Sequence, residues 1–216
     1  MNSPAVLTAR GAATRARIVA AAASLVLERG VGGTTLDDIR AGTSTSKSQL
    51  FHYFPSGKTE LVAAIAAFQA ERVLQAQQPF LGHLDTWEAW DGWRDAVVRH
   101  YGSQPHWGCP IGSLVNEVLA EDPRLGEAVA AHLEEWRGHL DAGLARMRAS
   151  GLLPEDASPR YLSTAILAAL QGGLLLTQTY RSIEPLEAAL DTALTALRAI
   201  AGLPARRQAA PRNAAT

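Results

Sequence analysis

Residues 34–54 read TTLDDIRAGTSTSKSQLFHYF, and this stretch decides the fold. Thr35 is followed three residues later by Asp38, and Ser46 three residues later by Gln49. Each pair fits a capping box: a hydroxyl accepts from the backbone N–H of the third helical residue, and that residue's side chain accepts from the backbone of the cap. Two short helices are therefore expected, one fading near Gly42 and one from Lys47 to Phe54, joined by Thr43, Ser44 and Thr45. Leu36 and Ile39 on the first, and Leu50 and Phe54 on the second, fall on inward positions. Upstream, Ile18, Ala22, Leu25, Val26 and Arg29 share one face of a longer helix closed by Gly30. Two short helices packed on a longer one make a helix-turn-helix unit.

In such a unit the last helix enters the DNA major groove with its N-terminal residues toward base edges. Here that end reads Ser46, Lys47, Ser48, Gln49. Glutamine addresses adenine through two hydrogen bonds, and lysine reaches O6 and N7 of guanine. Lys58 falls in the first turn of a fourth helix expected from near Ser56 to about Gln78. The helix dipole disfavours a cation there by roughly 0.3–1 kcal/mol, a cost that a bound phosphate would offset. A solvated surface lysine reads the same way. Charge is unevenly spread: residues 1–58 carry seven basic and three acidic groups, residues 59–204 carry ten and eighteen, and Arg206, Arg207 and Arg212 follow. A basic N-terminal segment on an acidic body points to a polyanion at one end only.

With 216 residues, 47% of them apolar, and a net charge of −1, the chain can bury a sizeable core in one larger or two small domains. Apolar residues recur at three- and four-residue steps, so further helices are expected at about 86–102, 110–121, 123–149, 159–181 and 185–202. Pro110, Pro123, Pro159 and Pro185 stand near their starts, where a missing N–H costs least. The fold class is all-α, with about nine helices. The expected organisation is a DNA-binding domain over 12–72, its helix-turn-helix at about 35–54, a C-terminal helical domain over 79–203, and flexible tails at 1–11 and 204–216. No apolar run reaches the roughly 20 residues of a membrane helix, since Gln171, Gly172 and Gly173 interrupt the best, Ala165 to Leu176. Cys109 is the single cysteine, so no internal disulfide forms. A cytoplasmic location without a membrane partner is expected.

The run from Thr34 to Leu61 resembles the DNA-binding domain of the tetracycline-repressor (TetR) family, and with the preceding helix the match spans about residues 12–72. Its specific marks are the cluster Phe51-His52-Tyr53-Phe54, then Lys58 and Leu61. The resemblance implies all-helical homodimeric repressors that release a palindromic operator when a small molecule binds the C-terminal domain. It implies DNA contacts from Thr35, Thr45, Ser46, Lys47, Ser48, Gln49, His52, Tyr53 and Lys58. Ser44-Thr45 replaces the family's common Gly-Val link, so hydroxyl side chains are expected to hold the turn. Phe51 stands where a phosphate-contacting tyrosine is common, and Tyr53 is the candidate replacement. The link Pro55-Ser56-Gly57-Lys58 resembles the branch that includes the lincomycin-resistance repressor. Gly108 to Leu114 and Leu170 to Leu174 resemble that branch more weakly.

In the C-terminal body, Trp87, Trp90 and Trp93 recur three apart on one expected helix, with Tyr101, Trp107 and Trp136 beyond. Together with Cys109, Leu114, Asn116 and Gln178 they are the candidates for an effector pocket that takes a flat apolar or aromatic molecule. For any one of these tryptophans, an ordinary core position is the commoner role. By the resemblance, the last two helices form a four-helix dimer interface through Leu162, Ile166, Ala169, Gly173, Leu176, Leu190, Leu194 and Leu197. No cofactor or metal is expected: His100, His106 and Cys109 match no zinc spacing, and His132, Glu135 and His139 read better as a solvated flank. An enzyme and a helical adaptor are the rival classes. Gly30-Val31-Gly32-Gly33 lacks the lysine and strand of a phosphate loop, Gly112-Ser113 lacks a hydrolase elbow, and no nucleophile–base pair stands out. An adaptor leaves the basic N-terminal unit unexplained.

Overall fold

The computed structural model describes residues 8–119 and 122–204. Among these residues the chain forms nine α-helices: α1 (Ala9–Arg29), α2 (Leu36–Thr43), α3 (Lys47–Tyr53), α4 (Lys58–Gln75), α5 (Trp87–Gly102), α6 (Pro110–Val118), α7 (Pro123–Ala149), α8 (Pro159–Tyr180) and α9 (Glu184–Ile200). A 3-10 turn at Phe80–Gly82 separates α4 from α5. The expected helices are all present. One expectation fails at the start: Ala9 to Gly11 belong to α1 and not to a flexible tail. Thr8 caps the helix by accepting from Gly11 N–H at 3.2 Å, and the alanine- and arginine-rich run that follows propagates it. The rest of the expected N-terminal tail, and all of the C-terminal one but Pro204, lies outside the described residues.

The chain divides into two compact units, one running to Val73 and including Pro110–Glu134, the other comprising Leu74–Cys109 and the residues from Glu135 onward. In the first unit α1 buries Ile18, Val19, Ala22, Ala23 and Val26, and Ile39, Leu50, Phe54, Leu61 and Ile65 complete a small core. Burying each of the valine, isoleucine, leucine and phenylalanine side chains contributes roughly 1.5–3 kcal/mol. Both capping boxes form as the sequence expects. The turn between α2 and α3 is held by hydroxyls. Ser44 takes the left-handed conformation at φ 51°, the Thr43 hydroxyl lies 2.7 Å from Ile39 O and from the Thr45 hydroxyl, and Arg17 donates to Thr43 O. These bonds offset the cost of a left-handed non-glycine residue, of order 1 kcal/mol. In the same unit α6 buries Ile111, Leu114 and Val118, and its Glu117 accepts a hydrogen bond from Val31 N–H just beyond α1. Gly30 has φ +74°, a conformation that favours glycine, and a Cβ there would stand 2.8 Å from Glu117 Oε2 and push that carboxylate aside.

In the second unit the Trp90 and Trp93 rings pack edge to face at 5.5 Å, and both are fully buried with Trp136. Gln77 Oε1 accepts from Trp93 Nε1 at 2.6 Å and from Trp136 Nε1 at 2.9 Å, while Trp90 Nε1 points to Met147 Sδ at 2.9 Å. Arg94 on α5 makes a two-pronged bond to Asp191 on α9, at 2.8 and 2.9 Å, and Arg198 NH2 bonds both Asp91 oxygens. Burial pulls the Arg94 pKa down, but Asp191, Asp95 and Glu187 more than offset this and leave it raised. Gly173 lets α8 and α9 approach: a Cβ there would stand 3.0 Å from Ala189 Cβ and Leu186 Cα.

Two expectations about α8 change. It is 22 residues long and apolar enough, by length and composition, to cross a membrane, because its polar residues are few and uncharged in the middle. Its buried side, however, is packed within the chain against α9. That packing also takes up the residues expected at a dimer interface: Leu162, Ile166, Gly173, Leu190, Leu194 and Leu197 are buried within the chain, Ala169 is half-buried and only Leu176 is exposed. Both sides of α8 are apolar, so periodicity alone does not tell which side packs internally. The exposed side carries Tyr161, Ala165, Ala168, Gly172, Leu175, Leu176 and Tyr180.

Candidate nucleic-acid interface and effector residues

The short helix α3 has two sharply different sides. Leu50 and Phe54 are each 1% exposed, and the Arg15 guanidinium lies 4.9 Å over the Phe54 ring, which anchors the helix. Ser46, Lys47, Ser48, Gln49, Phe51 and His52 are exposed, and Tyr53 is half-buried with its ring edge to face with His52 at 5.0 Å. The N-terminal half of α3 therefore presents one cation, one amide and small hydroxyls to the outside. Gln49 is partly committed: its Oε1 accepts from Ser46 N–H at 3.1 Å, which leaves its amide N–H groups to point outward. A two-bond contact with adenine would use the same oxygen as acceptor, so the base shares it with Ser46 N–H or displaces that bond.

Lys58 is half-buried at the first residue of α4, and at that terminus Glu60 already accepts from Ser56 N–H at 3.0 Å. Two residues expected to touch DNA have hydroxyls that serve the frame. Thr45 is buried with its hydroxyl bound to Thr43, because the link lacks glycine and needs a side-chain brace. Thr35 is exposed, but its hydroxyl is engaged with Asp38 in the α2 cap. The Thr35 hydroxyl and backbone bonds, helped by Arg29, hold the Asp38 carboxyl below its ordinary value of 3.8.

The expected effector residues separate into three groups. Trp90, Trp93 and Trp136 are core residues whose N–H groups have partners inside the unit. Leu114 is buried on α6, while Asn116 falls between the buried positions Leu114 and Val118 on the opposite side and is exposed, so it is not a buried polar anchor. The third group surrounds the end of α5. Tyr101 is buried, and burial first, then the neighbouring Cys109 thiol, pushes its phenol well above its ordinary value. Gln171 Nε2 donates to Cys109 Sγ at 3.5 Å. Gly108, at φ +98°, lies against Gln178, whose Oε1 would be 2.7 Å from a Cβ there. Gln178 itself is exposed, and Trp107 is half-buried in the same loop. Trp87, at the start of α5, stands apart from these groups and is half-buried beneath the Arg198 guanidinium at 5.1 Å. Sequence reasoning missed Gln77, Glu117 and Thr177, which carry no local pattern. Among the described residues, no group of three His, Cys, Asp or Glu side chains is placed to hold a metal.

Comparisons with known proteins agree with this geometry. Residues 18–65 match the family described as "Bacterial regulatory proteins, tetR family", and residues 89–192 match "Transcriptional regulator LmrA/YxaF-like, C-terminal domain". The chain is 26% identical over 194 residues to an uncharacterised HTH-type transcriptional regulator in the lacX 3' region of Lactococcus lactis, covering 87% of this chain and 94% of that one. It is 24% identical over 177 residues to the HTH-type transcriptional regulator LmrA of Bacillus subtilis, covering 80% and 90%. A TetR transcriptional regulator from Chloroflexus aurantiacus superposes with TM-score 0.76 at 29% identity, over 87% of this chain and 96% of that one. From its helix-turn-helix to its last helices, the chain belongs to the TetR family of bacterial DNA-binding transcriptional regulators, with an LmrA/YxaF-like C-terminal domain.

Proposed function

We propose that the chain is a homodimeric, cytoplasmic repressor that binds a palindromic operator and releases it when a small apolar or aromatic effector binds. Residues 12–72 form the DNA-binding domain and residues 79–203 the effector and dimerisation domain. The observation that carries this reading is the exposed N-terminal half of α3, held in place by Leu50 and Phe54 on its other side. Lys47 and Gln49 read base edges, Ser46 and Ser48 allow close approach, and His52, Tyr53 and Lys58 bind phosphates. Thr35 and Thr45 support the reading helix rather than the contact. The dimer forms through the exposed side of α8, where Ala165, Ala168 and Gly172 let a second copy come close and Leu175, Leu176 and Tyr180 offer apolar area. Twofold symmetry then calls for two half-sites about one helical turn apart. An effector releases DNA only if it binds the DNA-incompetent state better, and a full switch from 1:99 to 99:1 takes about 5.5 kcal/mol of differential affinity. Gel shift and footprinting with the DNA upstream of the chain's own gene test the proposal. A protected palindrome supports it, and binding no stronger than to random DNA of equal length opposes it.

A further inference from the structure

We infer that Tyr101 and Thr177 form the hydrogen-bonding end of the effector site, and that the effector is uncharged, largely apolar and presents a carbonyl or similar acceptor to them. This rests on the effector reading above and narrows it.

Both hydroxyls are sealed from solvent, with Tyr101 3% and Thr177 0% exposed; among the described residues Thr177 has no hydrogen-bond partner, and the Tyr101 hydroxyl meets the weak acceptor of the Cys109 thiol. Buried polar groups are rarely left unpaired, because each loses its water without a replacement. Thr177 is the more telling of the two. A helical threonine readily returns its hydroxyl to the carbonyl four residues back, as Thr164 does to Arg160 at 2.7 Å and Thr179 does to Leu175 at 2.9 Å on the same helix. Thr177 does not. Trp90, Trp93 and Trp136 of this unit have their N–H groups engaged, while the buried N–H of Trp87, at the other end of α5, has no partner among the described residues.

The two hydroxyls belong to the same end of their unit. Tyr101 stands in the last turn of α5, and a Cβ on the next residue, Gly102, would be 3.7 Å from Ile183, three residues beyond the end of α8. Thr177 stands in the last turn of α8. The neighbour of Tyr101 is the Cys109 thiol, a weak acceptor that a carbonyl oxygen would outmatch. Burial on this scale penalises an ionic ligand heavily, which favours a neutral one. Half-buried Trp107, two residues before Cys109, supplies an apolar ring beside the polar end.

The test uses 1-tetralone and tetralin, which share a fused ring system and differ by one carbonyl, with 1-naphthoate as the anionic comparator. Binding to the full chain is followed by tryptophan emission and thermal shift. Tetralone is expected to bind about tenfold more tightly than tetralin, the worth of one neutral hydrogen bond, and more tightly than naphthoate. Tyr101→Phe should bring tetralone and tetralin to near equality, and Thr177→Val should narrow the gap. Without any probe, Thr177→Val should keep or raise the wild-type melting midpoint, since it removes an unpaired polar atom, and Tyr101→Phe should lower it little, since it removes a weak bond to sulfur. A fall in the Thr177→Val midpoint shows that this hydroxyl has a partner, and overturns the inference. So does a tetralone preference that survives both substitutions, a preference for naphthoate, or no tetralone binding. Gel shift is scored separately. Tyr101-dependent tetralone binding that leaves DNA bound upholds the site and overturns its effector role, whereas loss of operator binding without any probe counts against the regulator reading alone.

Discussion

Replacing Gln77 with methionine removes one oxygen and strands two buried indoles. Trp93 and Trp136 are both fully buried, and both donate to Gln77 Oε1. An unsatisfied buried donor costs about 1–3 kcal/mol, so two cost about 2–6 kcal/mol. Methionine fills nearly the same volume and its sulfur is a weak acceptor, as Met147 is for Trp90. The expected loss is therefore in the lower part of that range, about 2–4 kcal/mol. For a chain of this size that corresponds to a drop in melting midpoint of about 4–16 °C. Urea unfolding followed by tryptophan emission gives the free energy, and calorimetry gives the midpoint. Adding Trp93→Phe to the Gln77→Met background should cost clearly less than it does in the wild type, because the donor it deletes is already stranded. A Gln77→Met loss under about 0.5 kcal/mol, or additive effects of the two substitutions, would refute the claim that this amide organises the aromatic core.

Further outcomes follow from other contacts. Lys58→Ala should weaken operator and random DNA alike and reduce the salt slope of binding by about one, whereas a loss confined to one sequence assigns Lys58 another role. Ala168→Arg on the exposed side of α8 should convert the proposed dimer to monomer in sedimentation velocity with little change in helix content, and a variant that stays dimeric moves the interface elsewhere. Glu117→Ala should cost about 0.5–1.5 kcal/mol through the Val31 N–H it leaves unpaired, with Glu117→Gln recovering part of the loss in urea unfolding; equal losses in the two variants would separate that cost from the hydrogen bond.

The elements that are local in sequence were the legible ones. Both capping boxes, the hydroxyl-braced link at Thr43–Thr45 and the proline starts of α6, α7 and α8 each depend on residues within a few positions. The anchoring of Leu50 and Phe54 follows from their spacing alone. What depends on the third dimension was not legible. Leu162, Ile166 and Leu190 read equally well as internal packing or as a dimer seam, and only the pairing of α8 with α9 decides between them. The tryptophans read as a pocket wall until Gln77, an unremarked polar residue between two helices, is found to hold two of them. Thr177 looks like any helical threonine, and its missing bond exists only in the folded chain.

Gln49 tests the central claim most directly. Binding of the wild type and of Gln49→Ala is measured across every single-base variant of the footprinted operator at one salt concentration. The wild type should show a symmetric preference in two half-sites. Gln49→Ala should flatten that preference at one position in each half, by about 1–3 kcal/mol of discrimination, and leave the others intact. An unchanged profile, or one weakened equally at every position, would contradict the assignment of α3 as the element that reads the operator.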